Sequence, residues 1–156
     1  MPDNLAVSRG VIVGSPGWDE KLAASKQAFL EGWVQRDAFK ARYSALTNPQ
    51  YVNGLIANLG VTISSAERDA LVRDLASGSS RANVLGRLAE NQTFSRAEFN
   101  LAFVLMQYFG YLGRDPDSAG FNFWLNKLNQ FDGNYERAEM VKAFLASIEY
   151  RGRFSL

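Results

Sequence analysis

The chain has 156 residues, 47% hydrophobic and 21% charged, enough to bury a core as one domain or as two small units. It has no cysteine and no histidine, which excludes thiol catalysis, a serine–histidine–aspartate relay, zinc sites of the usual kind and imidazole proton transfer near neutral pH. Seventeen Lys and Arg against sixteen Asp and Glu leave a net charge of +1, far from the surplus of a general nucleic-acid binder.

The opening "MPDNLAVSRGVIVG" has a short apolar patch without a basic leader or a long apolar core, so no signal peptide is expected there. No run approaches the roughly 20 apolar residues of a membrane span. Ser15-Pro16 opens a stretch in which Trp18, Leu22, Phe29 and Trp33 recur near helical spacing, with Ser as the cap and Pro in the first turn. A short helix is expected over 37–45. Asn48-Pro49 opens another, which stops at Gly60, a residue suited to a left-handed helix end. Ser64 with Glu67, and Ser95 with Glu98, fit the reciprocal capping box. The Ser64 helix should run to about Ala76 and stop at Gly78. Ser80 starts the next, Ser95 starts the longest, running to about Leu112, and Asp117 and Asn134 cap the last two. No stretch alternates polar and apolar residues between hairpin turns, so strands are not expected. The reading is all-α, a compact bundle of about eight helices.

A second pattern overlies the first. Residues 51–94 and 103–150 run in parallel: Gly60 matches Gly113, Leu71 matches Trp124, and Leu75 matches Leu128. Past a longer second loop, Arg81-Ala82 matches Arg137-Ala138, and Leu88-Ala89 matches Leu145-Ala146. Two related three-helix units are the expectation. The domain reading is an N-terminal segment, 1–36, with one helix packing on a helical domain of 37–156.

The joint in the second unit, "YLGRDPDSAGFNFWLNKL", begins like a calcium loop at Asp115. It departs at the fifth position, Ala119, the ninth, Phe123, and the twelfth, Asn126, where a bidentate Glu is needed. A structural joint is the stronger reading, with a calcium-binding structural module as the alternative. Gly113 ends one helix, Pro116 enforces the turn, and Asp117 caps a helix whose inward face is Phe121, Trp124, Leu125 and Leu128. Arg114 is expected to bridge Asp117 or Glu149 and to cover helix-end carbonyls. Arg137, Lys142, Arg151 and Arg153 read as a solvated face.

These residues carry a resemblance. Leu112 to Arg114, Pro116-Asp117, Gly120, Phe123-Trp124 and Ser147 to Tyr150 are similar to the signature of the bacterial family called domain of unknown function 4214. The resemblance is specific over 95–154 and looser over 37–94; residues 1–36 resemble a segment that can precede such domains. A fainter likeness runs to phycobilisome linker domains, which are scaffolding proteins. The resemblance implies a helical module, often toward the C-terminus of large exported bacterial proteins, with no established activity.

The expected function is therefore a non-catalytic interaction or scaffolding module, secreted or at the cell surface as part of a larger bacterial protein. Its partner would be a protein or a glycan, not nucleic acid, and the module a monomer or weak dimer without membrane insertion. No catalytic residue, metal ligand or cofactor is assigned. Phe121 and Trp124 share an apolar face and are expected in the core. The candidate binding residues are Arg114, Asp115, Asn122 and Phe123, beside the structural turn of Gly113, Arg114, Pro116, Asp117, Gly120, Trp124 and Glu149. For an enzyme the remaining route is paired carboxylates, with Asp115 and Asp117 the tightest pair.

Overall fold

Apolar residues at helical spacing, punctuated by caps and left-handed glycines, organise the chain into helices alone. In the computed structural model the described residues are 3–154; residues 1 and 2 of the expected N-terminal segment and 155 and 156 of the expected helical domain lie outside them. Among the described residues there are ten α-helices, eight of them seven residues or longer, and no strand. The chain forms two compact units, 1–94 and 95–156. The boundary thus falls at 94/95, and the segment up to residue 36, which carries two helices and not one, belongs to the first unit.

The first unit holds α1 (Asp3–Ser8), α2 (Trp18–Val34), α3 (Asp37–Tyr43), α4 (Asn48–Ile56), α5 (Ser65–Ala76) and α6 (Arg81–Ala89). Tyr43, Tyr51, Val52, Leu55, Leu71, Val84 and Leu88 form its core. Each such side chain contributes about 1.5–3 kcal/mol on burial. Helix α2 has no fully buried residue and packs along α6. It crosses closely because Gly86 has no side chain: Leu30 Cδ1 lies 2.8 Å from where a β-carbon would stand. Arg81 fastens the start of α6 to the end of α3, its guanidinium donating to the carbonyls of Tyr43 at 2.6 Å and Leu46 at 2.5 Å.

The second unit takes in α7 (Gln92–Gln107) from Ser95 onward, a π-helical turn over Tyr108–Leu112, α8 (Ser118–Gln130), α9 (Met140–Ala146) and α10 (Ile148–Gly152). Val104, Tyr108, Leu128, Ala138, Met140 and Phe144 are its core, with Phe121, Trp124 and Leu125 packed against them.

Several helix starts follow from local side chains. Ser64, Ser80 and Asp117 accept from the amides of Glu67, Asn83 and Gly120, and Gly60, Gly78 and Gly113 adopt left-handed φ of 66°, 97° and 66°. Four expectations are corrected. Ser95 does not start α7: the helix begins at Gln92, and Asn91 Oδ1 accepts from the Phe94 amide at 3.0 Å, capping it earlier. At Ser64 only half of the reciprocal box forms, because Glu67 Oε1 accepts from Asn91 Nδ2 at 2.9 Å. The reciprocal box is complete at Thr47 with Gln50, which puts Asn48-Pro49 inside α4 instead of at its cap; Gly17, not Ser15, precedes α2.

A fifth correction concerns the end of the chain. Asn134 does accept from the Arg137 amide at 2.9 Å, yet Glu139 sits at φ 51° and breaks the turn before α9. Ser147 then separates α9 from α10: its hydroxyl donates to the Phe144 carbonyl and accepts from the Tyr150 amide.

Burial recurs at the spacing of the internal pattern. Tyr51 and Val104, and Leu55 and Tyr108, are buried pairs 53 apart; Ala82 and Ala138, Val84 and Met140, and Leu88 and Phe144 are buried pairs 56 apart. Of the expected pair Leu88 and Leu145, Leu88 is buried and Leu145 is exposed, with Phe144 buried beside it.

Candidate functional site at the α7–α8 joint

Tyr108 lies at the centre of the joint. The π-helical turn that it begins ends at left-handed Gly113, which carries the chain round to the Asp115-Pro116-Asp117 turn. Arg114 projects back: Nε and Nη2 donate to the two Glu149 oxygens at 2.5 and 3.0 Å, and Nη1 donates to the Asp115 carbonyl at 2.9 Å. Asp117 Oδ2 is 3.9 Å from Arg114 Nη1, and the guanidinium lies 5.3 Å from the centre of the Tyr108 ring. A planar, permanently charged fork suits this two-pronged grip on a carboxylate.

Asp117 Oδ1 accepts from the Gly120 amide at 2.8 Å, closing the first turn of α8. Gly120 has no side chain where the Tyr108 hydroxyl and the Asp117 carboxylate crowd in. Burial pushes the Tyr108 phenol up from its ordinary value, with Asp117 adding to the effect. The Gly120 amide holds the Asp117 carboxyl below its ordinary range, and Arg114 holds Glu149 below its own.

The structure therefore brings Arg114, Asp117, Gly120 and Glu149 together around Tyr108, with Gly113 and Pro116 in the turn between α7 and α8. Trp124 is half-buried, its ring 5.5 Å from Phe144 on the inner side and 5.0 Å edge-on from Phe123 on the outer. Phe123 is 58% exposed, and Asn122, Asn126 and Asp115 are exposed as well. Asp117 Oδ1 is occupied by the Gly120 amide. Among the described residues no cluster of three or more acidic side chains could hold a metal ion.

Two contributors escaped the sequence reading. Tyr108 reads there as one aromatic among several, although it precedes the Gly113 stop by five residues. Arg153, assigned to a solvated face, donates to the Tyr111 carbonyl, and its guanidinium lies over Gly113, where a β-carbon would be 3.3 Å from Cζ. It thus covers a helix-end carbonyl, the task expected of Arg114.

The same unit exposes apolar side chains in register on α7. On α7, Phe99 and Met106 are 58% and 61% exposed and with exposed Ala102 follow the three-and-four spacing of a single helix face, while Phe109, 47% exposed, lies beyond it in the π-helical turn.

These features define an all-α module whose joint is built for rigidity and whose outer surface is partly apolar. Residues 87–154 match the model of the family described as Domain of unknown function (DUF4214). The looser resemblance over 37–94 is matched only from residue 87 onward. No curated protein and no solved structure matches the chain, and the likeness to phycobilisome linker domains is not supported.

Proposed function

We propose that the chain is a non-catalytic interaction or scaffolding module of a larger bacterial protein, exported or displayed at the cell surface, that docks on a protein or glycan partner as a monomer or weak dimer. The observation that carries this reading is Phe123: a ring 58% exposed, propped edge-on by Trp124 and flanked by exposed Asn122 on a helix whose start is locked. A rigid aromatic beside an amide gives large contact area at low entropic cost. The apolar face of α7 supports the same reading, since exposed apolar side chains in register favour association.

Catalysis by paired carboxylates is disfavoured on chemical grounds. Of the pair singled out for that role, Asp117 is engaged by the Gly120 amide, which holds its carboxyl below the ordinary range and leaves it no proton to donate near neutral pH. The two matched helical patterns are best read as copies of one unit, which would leave the differing joints free to specialise. A glycan array and a pull-down from the exported fraction of the source organism, each run with the wild-type chain and Phe123→Ala, test the proposal: retention that depends on Phe123 supports it.

A further inference from the structure

The first unit contains a groove of about 700 Å³ that plays no part in the joint. Its walls are apolar, supplied by Trp33, Phe39, Leu59, Leu85, Leu88 and Phe94. A volume of this size is that of a small-molecule site, where apolar walls provide contact area and a few polar groups fix orientation. The polar groups here have one sign: two arginines line the groove and no carboxylate does.

The two arginines differ. Arg36 is neutralised by Asp3, with contacts of 2.8 and 3.2 Å, and its guanidinium stacks 3.9 Å from the centre of the Trp33 ring. Arg42 makes no ion pair among the described residues. It is exposed, lies 5.4 Å from the centre of the Tyr43 ring, and donates through Nη2 to Asn58 Oδ1 at 3.0 Å. Asn58 is itself fixed by donating to the Tyr43 hydroxyl at 2.7 Å and to the Gly54 carbonyl at 2.8 Å. The Arg42 guanidinium is thus positioned by neutral groups, carries an uncompensated charge, and retains further N–H donors beside an apolar groove.

We propose that this groove binds an apolar carboxylate of the fatty-acid class, its alkyl chain along the Trp33–Leu59–Phe94 wall and its carboxylate on Arg42. The pairing joins the two complementarities the groove offers: apolar surface for the chain, and a free planar donor fork for two carboxylate oxygens. A neutral amphiphile would meet only the first, and a cationic one would be repelled.

Isothermal titration of the intact chain with dodecanoate, below its micelle concentration, tests this against dodecyltrimethylammonium as the cationic counterpart. The proposal expects saturable binding of one dodecanoate and none of the cation. Arg42→Gln should weaken dodecanoate binding by about tenfold or more, the loss expected when a charged hydrogen-bond donor is removed, while Arg42→Lys recovers part of it. Both variants are at an exposed position, and circular dichroism melts should match wild type. Absence of saturable binding, equal binding of the cation, or dodecanoate affinity unchanged in Arg42→Gln would each overturn the proposal.

Discussion

The phenolic oxygen of Tyr108 occupies the space that a β-carbon on Gly120 would need. The glycine in the joint is therefore demanded by a side chain twelve residues earlier, since its own backbone is ordinary helix. Gly120→Ala should destabilise the domain by about 1–3 kcal/mol through overpacking. Tyr108→Phe removes the offending oxygen, so the double variant should melt above Gly120→Ala alone; a purely additive outcome in a double-mutant cycle would contradict the contact.

Neighbouring rings on α8 should behave oppositely. Trp124 packs on Phe144 and is half-buried, so Trp124→Ala should cost about 3 kcal/mol, toward the lower end for a large aromatic. Phe123 is largely exposed, and Phe123→Ala should leave the thermal midpoint nearly unchanged. Thermal melts of the two variants decide this directly.

Acid should weaken the joint by a defined route. Glu149 is held below its ordinary 4.5 by its hydrogen bond to Arg114, so its stabilising effect is present above that value and is lost as pH falls through the depressed one. The thermal midpoint of wild type should exceed that of Glu149→Gln at pH 7, and the gap should close as acidification passes below 4.5 and through the depressed value. A gap independent of pH would show that the carboxylate charge is not what matters.

Alkali acts on the first unit through Tyr51. Burial pushes its phenol from 10.0 to about 12, against the opposing charge of Arg81, and its hydroxyl donates to the Arg81 carbonyl at 2.8 Å. A raised pKa means that the neutral phenol's contribution is complete below the unfolded value and is lost as pH climbs from about 10 to about 12. Stability measured across that window should fall in wild type and fall less in Tyr51→Phe.

What could be read from the residues alone was local. Ser64, Ser80 and Asp117 announce helix starts because a cap needs only its own side chain and an amide three residues on. Ser95 misled because Asn91 performs the same task four residues earlier, and a helix extended by one turn places Ser95 inside it. The breaks at Glu139 and Ser147 were hidden by apolar spacing that continues across them, whereas the chain there trades helical hydrogen bonds for turns. Arg114 was legible because Asp117 and Glu149 were the carboxylates its surroundings offered. Tyr108, Arg153 and the Arg42 groove were not, since each depends on tertiary contacts: a ring meeting a glycine, a guanidinium reaching a distant carbonyl, and walls drawn from four helices and the start of a fifth.

The most direct test of the central claim is differential capture on immobilised wild-type chain against Asn122→Ala and Phe123→Ala, using the exported fraction of the source organism and a glycan array in parallel. The account predicts a partner retained saturably by wild type and lost from both variants, each variant melting like wild type. Capture indifferent to both substitutions, or turnover of a substrate by the chain in a hydrolase screen, would contradict it.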